Sequence, residues 1–179
     1  MYHRFDENKY PSTNIRMEVF KEHLEEIKNL NLEFIIFQKF EKIINNKIDK
    51  NYLLLTIDDA FSSFYLNAWP IIKKNKIPII LFVSTREVGK YGYMTWDQIK
   101  EIASSDLVTI GNHSHSHEYL IDWDEKKIRE DLEIAIKIFN KELGYSPNLF
   151  SYPFGEYSNI LKKIVADLNF KFAFGQHSG

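Results

Sequence analysis

The sequence predicts an α/β fold built on a mostly parallel sheet. Three observations carry that expectation. Short apolar runs alternate with longer stretches at helical spacing along all 179 residues. One run, Ile77-Pro78-Ile79-Ile80-Leu81-Phe82-Val83, is apolar without alternation, as a strand covered on both faces must be. The residues with chemistry to offer follow directly after predicted strands, at the sheet edge where parallel folds gather their loops.

The elements follow in order. Val19, Phe20, Leu24, Ile27 and Leu30 set a helix over 17–30, with Ser12, Thr13 and Asn14 as its cap region. Residues 32–37 are short, aliphatic and aromatic, and read as a strand. Asn45 to Asn51 is a polar loop. Residues 52–57 form a continuous apolar run, a second strand. A helix over 61–75 must kink or end early at Pro70. The third strand spans 77–83, with Pro78 near its start, where proline is tolerated. Thr95 caps a helix and Gln98, three residues on, completes a capping box. Strand 107–110 follows. Ile128, Leu132, Ala135, Ile136, Phe139 and Leu143 mark the buried stripe of a helix over 124–143, stopped by Gly144. Strand 149–152, helix 156–168 and strand 170–174 complete six strands. There is no internal repeat and no linker, so the chain reads as one domain.

Composition excludes several classes of function. The apolar fraction is 44%, with 14 Phe and 10 Tyr, enough for a packed core. A net charge of −2 lacks the basic footprint of a nucleic-acid binder. With no cysteine there are no disulfides and no thiolate ligands. No run approaches the roughly 20 apolar residues of a membrane span. Met1 to Asp6 lacks a signal-peptide core, so the chain reads as cytoplasmic as it stands, and as exported if an upstream segment is missing. Oligomeric state is not readable.

Three segments carry chemistry. In Gly111-Asn112-His113-Ser114-His115-Ser116-His117, three of the six histidines fall within five residues. His113 and His117 have the i, i+4 spacing that puts two imidazoles on one side of a helical turn. His115 points away, and Ser114 and Ser116 bond neighbouring backbone. Asp58-Asp59 ends an apolar strand, where two carboxylates are costly unless paired or ligating. Two imidazoles and one carboxylate make a metal site with open positions. Phe150 to Gly155 makes a rigid wall that aims a backbone N–H at a developing oxyanion. Each segment alone has a plainer account: a helix cap for Asp59, a His/Ser-rich loop, an ordinary strand exit.

Together the three segments resemble the polysaccharide deacetylase family, the NodB-homology class of carbohydrate esterases. Thr56 to Ala60 is similar to its Thr-Phe-Asp-Asp-Gly motif, with Ile57 and Ala60 substituted. His113, Ser114 and His117 match its second motif. Ser151 to Gly155 aligns with Arg-x-Pro-Tyr-Gly, with Ser151 for the arginine that orients the base and Phe154 for tyrosine. Gly111 to His113 and Tyr93 to Trp96 also look like bacterial members.

The resemblance implies a divalent metal on Asp59, His113 and His117. Zinc comes first, with iron, cobalt or nickel accepted by the same donors. It implies that Asp58 is the general base for a metal-activated water that attacks the acetamide of a GlcNAc-type saccharide. The metal and the backbone N–H of Phe154 would hold the oxyanion, and Tyr152, Pro153 and Phe154 would line the substrate site. It further implies a deformed (β/α) barrel. The length falls below the roughly 200 residues of a closed barrel, so the barrel is expected to be incomplete. The single domain, 1–179, would then lack the family's first strand and C-terminal motifs, among them the Leu-x-His that supplies the acid. His177 is the candidate stand-in, against the plain reading of a frayed tail. His3 is a candidate for the site's edge. Two rival readings remain: a catalytically inactive saccharide-binding module, favoured by Ser151 and the missing last motif, and, last, a structural metal site.

Overall fold

This computed structural model describes residues 1–44 and 51–176. The loop expected from Asn45 lies outside them except for Asn51, and so does His177.

The N-terminal third forms two small parallel pairs. β1 (Arg4–Phe5) pairs β2 (Asn14–Ile15), and β3 (Glu33–Phe34) pairs β4 (Tyr52–Leu53). The main sheet runs β5 (Leu55–Ile57), β6 (Ile79–Val83), β7 (Val108–Asn112), β8 (Leu149–Ser151) and β9 (Phe172–Phe174), in that order and all parallel. Strand order equal to chain order, with helical crossovers between strands, gives a curled half-barrel. Tyr2 joins the β5 edge through one parallel bridge to Ile57.

The helices are α1 (Met17–Asn29), α2 (Phe37–Ile43), α3 (Trp69–Lys74), α4 (Trp96–Ala103), α5 (Glu125–Leu143) and α6 (Asn159–Asp167). Their ends follow the sequence. Thr95 and Gln98 close a capping box on α4, Asp124 accepts the Lys127 N–H at the start of α5, and Gly144 ends α5 at φ +80°. Among the described residues no helix is long and apolar enough to cross a membrane.

All five residues of β6 are buried, and alternate side chains serve different layers. Ile79, Leu81 and Val83 pack outward with Ile57, Ile72, Ile99 and Phe139. Ile80 and Phe82 face into the curl with Phe37 of α2 and Leu149 of β8. Phe37 meets Phe172, the first residue of β9, edge-on at 5.2 Å. α2 thus plugs the end of the half-barrel from which the strands start, leaving the other end for the chemistry.

The structure corrects several boundaries. The strand expected over 32–37 is only Glu33–Phe34, because Phe37 opens α2. The run 52–57 breaks after Leu53 and changes partner, from β3 to β6. The helix expected over 61–75 is a π-turn, Phe64–Ala68, followed by short α3, with Pro70 in its first turn. β7 runs on to Asn112, which carries the histidines to the sheet edge.

Candidate metal centre

Three strand ends build the site. Asp58 and Asp59 follow β5, His113 follows β7, and Ser151 is the last residue of β8. After β5 the chain turns through left-handed backbone, with φ of +71° at Asp59 and +54° at Ala60. Ala60 stands where the resembling motif carries glycine, the residue that adopts this conformation without steric cost. The Ala60 carbonyl accepts the Met94 N–H at 2.9 Å, which fixes the turn.

His113 is buried and donates Nδ1–H to the Ser151 carbonyl at 2.8 Å. That bond sets the tautomer, leaving a lone pair on Nε2, which lies 3.5 Å from Asp59 Oδ1. His117 Nε2 lies 3.0 Å from the same oxygen. The two histidines do not meet across a helical turn. Ser114 at φ +68° and His117 at φ +54° break any helix, and the loop folds back on itself instead. Asn112 Oδ1 accepts the Ser114 N–H (2.8 Å) and Ser114 Oγ accepts the His117 N–H (3.0 Å). The three donor atoms of Asp59, His113 and His117 all lie within 4.8 Å of one another.

Electrostatics sort these groups. Burial pushes His113 down to about 4 against the pull of Asp59, so its ring is neutral at neutral pH. Burial would raise Asp59, but the hydrogen bond from His117 and the electrostatic pull of the neighbouring imidazoles outweigh it and hold the carboxyl below its usual range. Burial would lower His117, yet Asp59 holds it up. A neutral imidazole with its lone pair aimed inward, a second imidazole and an ionised carboxylate fit one divalent cation and leave coordination positions open.

Asp58 differs from its neighbour. It is 4% exposed, and among the described residues its Oδ2 accepts only the Ser151 hydroxyl at 3.3 Å and its Oδ1 has no partner. Burial, then the adjacent Asp59 charge, raises it to about 7. Asp58, Asp59, His113, His117, His3 and Phe154 all border one cavity of about 530 Å³. Tyr152 borders it too, although its ring packs against Phe150 and Tyr157. Pro153 is buried in the turn and is not among the residues that border this cavity. His115 turns away to Thr85 Oγ1 at 2.8 Å.

The sequence reading missed two contributions. Ser151 serves both sides of the site, its carbonyl on His113 and its hydroxyl on Asp58. Asp131 of α5 is buried, and its two carboxylate oxygens accept the N–H groups of His115 (2.8 Å) and Ser116 (3.0 Å). A signal existed: an acid on the apolar stripe of α5, three residues after Ile128 and four before Ala135.

The family model for polysaccharide deacetylases matches residues 45–173. The poly-β-1,6-N-acetyl-D-glucosamine N-deacetylase of Staphylococcus aureus (strain MSSA476) is 26% identical over 155 residues, 79% of this chain and 52% of that protein. The chain thus spans about half the length of the curated relatives it matches. Among solved structures, IcaB from Ammonifex degensii superimposes with a TM-score of 0.87 at 26% identity, covering 97% of this chain and 81% of that one. The Streptococcus pyogenes deacetylase PplD, solved with acetate, shares the fold with a TM-score of 0.86 at 23% identity, covering 100% of this chain and 83% of that one.

Proposed function

We propose a function from one premise: this chain belongs to the polysaccharide deacetylase family. It is a metal-dependent hydrolase that removes N-acetyl groups from an N-acetylated saccharide of the GlcNAc type, with zinc as the ion. The observation that carries this reading is one cavity in which the donors of Asp59, His113 and His117 converge beside an unpartnered oxygen of Asp58.

Asp59, His113 and His117 would hold the ion. Bound there, it would polarise the acetamide carbonyl and make water acidic enough to attack near neutral pH. Asp58 is the base that takes the proton from that water. Before any ion binds, burial and the Asp59 charge raise its carboxyl to about 7, and a base kept above the ordinary carboxylate range suits proton transfer near neutrality. The Ser151 hydroxyl holds one Asp58 oxygen, and the other, without a partner among the described residues, would accept the proton. The backbone N–H of Phe154 is the donor assigned to the oxyanion. When the C–N bond breaks, the proton taken up by Asp58 is the one the departing amine requires. The products are acetate and a free amino sugar.

The test is mutational. Asp58→Asn should retain the metal yet release no acetate from N-acetylglucosamine oligomers, and unchanged turnover would remove the base. Asp59→Ala and His117→Ala should each lose the metal by elemental analysis, and full occupancy in either would overturn the ligand set. A second reading, a saccharide-binding module without turnover, draws on Ser151 standing where many members carry arginine. Sugar binding without acetate release by the metal-loaded protein would establish it.

A further inference from the structure

The two imidazoles of the candidate centre are held by different means. His113 sits deep, its side chain 3% exposed, and its Nδ1–H is fixed by the Ser151 carbonyl of the neighbouring strand. His117 is the outer donor, its side chain 25% exposed. A metal-binding imidazole usually has its second nitrogen fixed by a carboxylate, a carbonyl or water. The main-chain group that bonds the His117 ring is its own, so that bond moves with the residue and ties the ring to nothing else. Apart from the His113 ring, what bears on the His117 ring is the ring of Phe154, 4.9 Å away and tilted by 57°.

Phe154 is in turn held from two sides. Tyr119, two residues beyond His117 on the same loop, stacks on it with centroids 3.8 Å apart and planes within 3°. The turn that carries Phe154 is pinned beneath: the Gly155 N–H donates to the Tyr152 carbonyl (2.8 Å) and the Gln176 N–H donates to the Gly155 carbonyl (3.1 Å). Tyr119 is anchored by its neighbour Leu120, which is buried with Leu132 and Phe150. Aromatic pairs left to themselves settle offset or edge-on, with centroids about 4.5–7 Å apart. A parallel pair closer than that is set by the loops that carry the rings. His117 and Tyr119 thus bear on one ring from another loop, and that ring cannot turn without displacing both.

We propose that Tyr119 is a positioning residue for His117: by stacking on Phe154 it keeps that ring against the imidazole and fixes the direction in which His117 presents its nitrogen. This rests on the ligand set of the deacetylase reading and adds to it the device that orders the outer ligand. A side chain ordered beforehand loses little rotamer freedom when an ion binds. Once the stack is gone, His117 can swing away while Asp59 and His113 stay in place, so the loss falls mainly on how long the ion is held.

The experiment follows zinc in competition with a chelator. Tyr119→Leu should weaken zinc binding about tenfold, mostly through faster release. Tyr119→Phe, which keeps the flat ring, should restore it. Tyr119→Met, also ringless, gives the same readout if the leucine variant fails to fold. Unchanged affinity in the ringless variants, or an equal loss in Tyr119→Phe, overturns the proposal. In urea, metal-free Tyr119→Leu should unfold near the wild-type midpoint; a fallen midpoint with affinity intact would make the stack merely structural. Crystal structures of the metal-free wild type and Tyr119→Leu supply a test that needs no ion. The His117 ring should keep one orientation in the wild type and leave it in the variant, and the same orientation in both overturns the positioning role. If zinc-treated wild type holds no zinc, the ligand set fails instead, and the crystal comparison still decides what Tyr119 does.

Discussion

Asparagine in place of Asp58 should stabilise the metal-free protein. The carboxyl is 4% exposed, and among the described residues one oxygen holds a single long bond to Ser151 and the other has no partner. Its charged form is disfavoured, which moves its pKa from 3.8 to about 7. A shift of about three units sets a ceiling near 4 kcal/mol, at about 1.4 kcal/mol per unit. The sign follows from linkage. With a raised folded pKa, the native state takes up its proton before the unfolded state does, so the penalty is full above pH 7 and is relieved as pH falls from 7 towards 3.8. Asparagine has nearly the same shape and never carries the charge. Asp58→Asn should therefore exceed the wild type by about 2–4 kcal/mol near pH 8, with the gap closing towards pH 4. Urea unfolding of chelator-treated proteins across that range measures it, provided the slopes agree. A gap absent near pH 8, or one that widens in acid, would refute the assignment of Asp58 as a strained, buried base.

Two further substitutions test the supports of the site. Asp131→Ala leaves the His115 and Ser116 amides without their buried acceptor, so metal affinity in a chelator competition should fall about 10- to 100-fold. Glu130→Ala, on the same helix and exposed, is the control, and equal affinity in the two variants would deny Asp131 its positioning role. Gly111→Ala would place a Cβ 2.3 Å from the ring of fully buried Phe82, so it should cost about 1–3 kcal/mol in urea unfolding, and a neutral result would contradict the packing of β7 on β6.

What the sequence made legible was what it encodes locally. β6 is visible because five buried positions in a row have no polar residue to place. α5 is visible because its apolar stripe, Asp124 and Gly144 agree. The candidate ligands are visible because Asp59, His113 and His117 are chemically conspicuous at strand ends. The rest is fixed by distant partners. β1 to β4 have two residues each, too few to show a period. α2 carried a signal in Phe37, Phe40 and Ile43, but Phe37 also ends an apolar run that reads as strand. The meeting of His113 with His117 depends on two left-handed residues that spacing alone does not reveal. Asp131 bonds amides fifteen and sixteen residues away, and Tyr119 stacks on a ring from another loop.

Of the non-glycine residues with left-handed backbone, Asp59, Ala60, Ser114, His117 and Phe154 all belong to the three loops around the cavity. At about 1 kcal/mol each, the rim stores roughly 5 kcal/mol that the rigid strands beneath must offset. On warming, such a rim should loosen while the sheet still stands, so the proposed turnover should fade below the temperature at which the molecule melts. A drift to glycine in these loops would make a hardier protein with a blunter grip, so toughness and catalytic sharpness pull this chain in opposite directions.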